Sequence, residues 1–238
     1  MTADCPWPAH RVALAASLLP SLLFPITYVI AASQGHIDWC VPFISGCTDI
    51  THTGLRYPES HLFRIILCAG SLAIIATWLL AFEWTKLQSH TVKRSDRRIR
   101  IQGVTAGLGL FVGTIVLQGP ENTLWSVHGI GANLYFLLAY IAVVSYTQRL
   151  REIDMQGGLT TKRSLQVKRV IVWSMSLMLV LVVLFRIAGW REARRIIQWL
   201  AAYAFMIYYL SLALDWRGRF YFGWRSGLTG GTEHSIDG

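Results

Sequence analysis

The sequence predicts an all-α fold, a polytopic membrane protein built as a single bundle of six transmembrane helices with both termini cytoplasmic. Three observations carry that reading. Hydrophobic residues make up 53% of the 238-residue chain and charged residues 15%, with mean hydropathy +0.43, whereas soluble domains carry about 25% charged residues. Six stretches are apolar over roughly the 20 residues that a helix needs to cross a ~30 Å hydrocarbon layer. Twelve of the 22 Lys and Arg residues fall in two short segments between such stretches, 85–100 and 148–169. No ten-residue run alternates polar and apolar positions as a membrane β-barrel would.

The first span is read over residues 12–32. Its apolar run exceeds the 7–15 residues of a signal peptide and its start is barely basic, so it reads as a retained helix. Pro20 and Pro25 lie inside it, and neighbouring helices have to satisfy the carbonyls they free. The second span is 62–84, the third 101–119 and the fourth 124–147, with a very short turn near residues 120–123. Span three carries Gly103, Gly107, Gly109 and Gly113, two small-xxx-small patterns that suit close helix packing. Spans five and six are 170–188 and 196–216.

With the amino terminus inside, sixteen Lys and Arg lie in inner segments and four (Arg56, Arg191, Arg194, Arg195) in outer ones, as the positive-inside rule requires. Trp39, Trp125, Trp190 and Trp199 mark outer boundaries; Trp84, Trp173 and Trp216 mark inner ones. The net charge of +9 is accounted for by basic loops beside anionic headgroups, with no nucleic-acid partner. Residues 1–216 form the expected transmembrane domain. Residues 217–238 form a cytoplasmic tail, basic and aromatic at first and then glycine-rich.

The largest segment outside the membrane is the outer loop, 33–61. Polar groups at membrane depth are costly and are functional candidates; here they gather on the outer side. The candidates for a lipid-binding site are Asp49, His52, Glu59, His61, Arg64, His128 and Arg186. Either arginine could pair with a lipid phosphate. His128 has Glu121 or Asn122 as candidate partners within the bundle, and Asn133 suits a role joining helices. Cys40 and Cys47 share the outer loop, where an oxidising compartment permits a disulfide; their spacing leaves bonded and free states both open. Cys5 faces the cytoplasm in this topology, and Cys68 reads as a small apolar residue of span two.

His52, Glu59, His61 and His128 could supply a zinc site, but no HExxH or CxxC spacing occurs. No Gly-x-Ser-x-Gly elbow supports Ser45 or Ser60 as a nucleophile. The expectation is therefore no catalytic residue, no metal and no cofactor.

The loop sequence Pro42-Phe43-Ile44-Ser45, followed by Thr53-Gly54-Leu55-Arg56-Tyr57-Pro58-Glu59-Ser60-His61-Leu62-Phe63, resembles the Frag/DRAM/Sfk family of six-span membrane proteins. Val127-His128-Gly129-Ile130-Gly131-Ala132 in span four and residues 198–216 are similar in character. The family pattern reads Pro-aromatic-Ile-Ser-Asp-Thr-Gly with a later Pro-Glu. Here Gly46 follows Ser45, and His52 stands where an alternative alignment expects Asp, so Asp49 is the candidate substitute. The resemblance implies lipid remodelling, membrane organisation or autophagy regulation. Short loops and the absence of Asn-x-Ser/Thr sequons favour a bacterial cytoplasmic membrane over a eukaryotic endomembrane.

Three functions from different classes follow. The first is a non-enzymatic membrane factor that binds, organises or helps remodel lipids through an outward-facing polar site under the first outer loop. The second is an intramembrane hydrolase or acyl-transfer enzyme with a His/carboxylate site. The third is an accessory subunit of a membrane-protein complex.

Overall fold

The computed structural model describes residues 7–89, 91–119, 122–155 and 161–222. Cys5, Pro120, Glu121 and the tail from Gly223 lie outside them. Six long helices account for most of the described chain: α1 (His10–Ser33), α3 (Glu59–Ser89), α4 (Arg94–Ile115), α5 (Leu124–Asp154), α6 (Lys162–Ile187) and α7 (Arg191–Trp216). The outer loop contributes a four-residue helix, α2 (Pro42–Ser45), and a 3₁₀ turn at Thr51–Gly54. A two-residue antiparallel pair, β1 (Trp7–Pro8) with β2 (Tyr221–Phe222), joins the two ends of the described chain.

The helices overrun the expected spans because their polar end turns stay helical. Among the described residues, five helices (α1, α3, α5, α6 and α7) are long and apolar enough to cross a membrane. The third expected span falls in α4, whose arginines and glycines dilute its hydropathy. α4 is also shifted from 101–119 toward its basic end. Its start is fixed by Asp96, which accepts the Lys93 backbone N–H at 2.8 Å and the Arg149 Nε–H of α5 at 2.8 Å. At its outer end carbonyls are taken by side chains: His128 Nδ1 donates to Gly113 O in the last turn at 2.8 Å, and Arg64 donates to Leu117 O just past the helix.

The glycines of α4 serve two faces. A Cβ at Gly103 would fall on the Trp78 ring and one at Gly107 on the Ile75 side chain, both in α3. Gly109 and Gly113 instead face Gly131 of α5, so α4 is clamped between its neighbours. In α1, Pro25 removes the bond that the Ser21 carbonyl would receive, and the Tyr203 hydroxyl of α7 replaces it at 3.1 Å.

The core divides lengthwise. One cluster centres on Trp78, Tyr146, Tyr208, Tyr209 and Trp216; the other lies toward the outer loop around Phe24, Phe63 and Trp199. α6 is the outlier. Its buried residues are Leu165, Lys168, Ile171 and Met175, and beyond Met175 the helix packs loosely and leaves a gap beside α5 and α7.

Candidate functional site

The outer loop is folded down onto the bundle end. Cys40 and Cys47 are joined as a disulfide, with their Cα atoms 6.6 Å apart. The Tyr28 hydroxyl of α1 donates to Cys40 O at 2.7 Å and accepts the Cys40 N–H at 2.6 Å. From α7, Arg195 donates to Cys47 O at 3.0 Å and the Trp199 indole N–H donates to Thr48 O at 3.0 Å. Phe43 packs edge-on against Trp199 and Tyr203, at 5.3 and 5.4 Å between ring centres. Gly46 turns the chain with φ +60°, and any Cβ there would collide with the Glu192 carbonyl.

The expected site residues separate into groups. Asp49 Oδ1 accepts from the His52 backbone N–H at 3.0 Å and from His52 Nδ1 at 2.7 Å. Burial pushes the Asp49 carboxyl up, but the bonds and charge of His52, with Arg195 nearby, hold it below its usual value. His52 is raised by the Asp49 hydrogen bond, against burial, with the Asp49 charge reinforcing the rise. His128 is reached by the Thr51 hydroxyl at 3.2 Å from its Nε2. Its partners are therefore Thr51 and Gly113, not Asn122, which caps Leu124; Glu121 is outside the described residues.

Glu59 is fully buried at the start of α3, where His36 Nδ1 donates to it at 2.7 Å. His61 is exposed beside Tyr57, and Arg64 closes the end of α4. These three stand apart from Asp49, His52 and His128. Among the described residues, no three His, Cys, Asp or Glu side chains converge as metal ligands, and no hydroxyl hydrogen-bonds the His52 ring. Asn133 bonds Gly129 O of its own helix at 2.8 Å rather than joining helices.

The gap beside α6 is a cavity of about 690 Å³. Asp49, Thr51, His128 and Arg186 stand at its outer mouth, together with Arg191, Arg194 and Arg195 at the start of α7. Below the mouth its walls are mostly apolar, supplied by Phe136 and Leu137 of α5, Leu179 and Val183 of α6, and Phe205 of α7, with Asn133 and Gln198 as polar interruptions. Toward the floor, the Tyr140 hydroxyl meets Ser176 Oγ at 2.8 Å. From Arg186 to Met175 the cavity follows α6 over eleven residue steps, about 16 Å at 1.5 Å per residue. That matches one leaflet of a ~30 Å hydrocarbon layer.

Sequence reading placed Asp49, His128 and Arg186 near this mouth and missed the other three arginines. Their signal is a cluster of three cations within five residues, in a segment the sequence analysis expects on the outer side, where cations are depleted.

Residues 8–218 match the family model of the Frag1/DRAM/Sfk1/Cwh43P N-terminal domain. The chain is 30% identical over 128 residues to human DNA damage-regulated autophagy modulator protein 1, covering 53% of this chain and 50% of that protein. It is 26% identical over 166 residues to human DNA damage-regulated autophagy modulator protein 2, covering 66% of this chain and 58% of that one. The mouse protein 1 is similar at 30% over 128 residues, covering 53% of this chain and 50% of its own length. The chain thus spans about half the length of the curated relatives it matches. No solved structure matches. The chain is an integral membrane protein, and these mammalian relatives do not favour the bacterial membrane expected from its short loops.

Proposed function

The chain belongs to the Frag1/DRAM/Sfk1/Cwh43P N-terminal domain family, and from that premise we propose that it binds a membrane lipid in the cavity beneath its outer loop. The observation that carries this reading is the cavity's shape: charged at one end, mostly apolar below it, and one leaflet deep. A soluble metabolite has no use for about 16 Å of apolar wall, whereas an acyl chain does. The six long helices are taken as six spans with both termini cytoplasmic, so the mouth opens to the outer leaflet. The relatives' names set them in the regulation of autophagy, and the same setting is proposed for this chain, with lipid binding as its contribution.

The hydrolase reading has less support. Asp49 and His52 form half of a catalytic arrangement, but no nucleophile hydroxyl meets the imidazole among the described residues.

The test uses Gly129, which lines the cavity and where a Cβ meets no atom within 4 Å. Gly129→Trp should fill the mouth while keeping the fold. Lipids extracted from the purified full chain should amount to roughly one per wild-type molecule, and far fewer in the variant. Equal lipid content in two equally folded proteins would remove the reading.

A further inference from the structure

Resting on that lipid reading, we infer that the cavity selects a lipid with a net anionic phosphate headgroup, held by Arg186, Arg191, Arg194 and Arg195. All four arginines line the mouth. Among the described residues, none of them has a carboxylate within 4.0 Å; the ion pairs join other residues, His52–Asp49 at the mouth itself and His36–Glu59, Lys86–Glu83, Lys93–Glu152, Arg149–Asp96, Arg149–Glu152 and Lys168–Asp215 away from it. Arg195 is spent in part on the carbonyls of Gly46 and Cys47, at 3.4 and 3.0 Å. The Arg194 Nε–H is buried with no acceptor. Asp49, the described carboxylate of the lining, already holds His52, and Glu192 in the first turn of α7 is exposed and does not line the cavity.

Four guanidinium groups beside a low-dielectric cavity repel one another and leave donors unmet. A phosphate supplies what is missing, because its oxygens match the planar guanidinium fork and carry opposite charge. The start of α7 adds to the same demand. Trp190 caps it without a side-chain hydrogen bond, so the positive end of the helix dipole lies beside Arg191 and Arg194, with Glu192 the one first-turn carboxylate. A sterol or ceramide brings no anion. A choline or ethanolamine headgroup places an ammonium against the cluster. An anionic phospholipid satisfies both the mouth and the apolar walls.

The experiment offers the purified full-length protein an equimolar mixture of dioleoylphosphatidylglycerol and dioleoylphosphatidylcholine and measures retained lipid by native mass spectrometry. Wild type should hold the anionic lipid over the zwitterionic one by about tenfold. Arg186→Gln/Arg191→Gln should bring that ratio close to one while total bound lipid stays measurable. Arg186→Gln alone, at an exposed helix end, should lower the ratio part of the way and covers the case in which the double variant fails to fold. Soluble glycerol phosphate at matched concentration should not displace the lipid. Equal retention of both lipids by wild type, a ratio unmoved in the variants, or displacement by glycerol phosphate would each overturn the headgroup assignment. The lipid reading itself falls only if Gly129→Trp leaves total lipid unchanged, so the two failures are distinguishable.

Discussion

Asp49 and His52 form an ion pair whose strength follows pH, because the two groups move in opposite directions. His52 sits above its ordinary 6.5 through its bond to Asp49. It therefore contributes stability that is complete below about 6.5 and is lost as pH rises through its raised value. Asp49 sits below its ordinary 3.8, so its contribution is present above about 3.8 and is lost as pH falls through the lowered value. The pair is intact in mildly acid solution. His52→Gln should cost most near pH 5–6 and progressively less toward alkaline pH, with a maximum of about 1 kcal/mol because the imidazole is partly exposed. Thermal unfolding of wild type and variant across that range checks it; a gap that widens with rising pH would refute the assignment. Sequence reading could name Asp49 as the candidate acidic residue, because Gly46 and His52 break the family pattern around it. It could not see that Glu59 turns away to His36, since the choice depends on how a 29-residue loop folds over three helices.

At the scale of elements, α4 and α5 approach as closely as backbones allow, and two glycines one helical step apart in role make that testable. At Gly131 a Cβ would sit 2.5 Å from Gly109 O and 3.0 Å from Gly113 Cα, both in α4. Gly131→Ala should force the helices apart and destabilise by about 1–3 kcal/mol. Gly129 lies on the open side of the same turn, so Gly129→Ala should be neutral, or stabilising by up to about 1 kcal/mol through helix propensity. Melting temperatures of the two variants in one detergent should fall on opposite sides of wild type or nearly so. Equal losses would show that the α4–α5 contact is not glycine-determined. The apolar runs and the glycine spacing made this packing legible in advance. The splay of α6 was not legible, because its outer half is as apolar as a packed helix, and hydropathy does not distinguish lipid, cavity or neighbour as what covers it.

The whole molecule has two chemically distinct ends, and its topology can be argued from them. One end holds β1 paired with β2, Phe220 packed on Trp84 at 5.3 Å, and the buried pairs Arg149–Asp96 at 2.8 Å and Lys168–Asp215 at 2.6 Å. These contacts join both ends of the described chain to the two basic segments, so all four lie on one side of any membrane the helices cross. The opposite end carries the disulfide-closed loop, Arg64 and the cavity mouth. On the proposed topology each of the six long helices is one crossing, including α4, which is too polar to be recognised by hydropathy alone and whose glycines bury it between α3 and α5. The proposed orientation puts the sixteen Lys and Arg of the basic end on the inner side. In a background with Cys5 and Cys68 replaced by alanine, a membrane-impermeant thiol reagent applied to sealed cells should label Arg56→Cys. It should reach Arg97→Cys only after permeabilisation. Labelling of both from one side would break the six-crossing parity, and the cavity would no longer open to the leaflet opposite the basic segments. Labelling of Arg97→Cys alone would keep the parity and invert the protein, placing the arginine mouth at the inner leaflet.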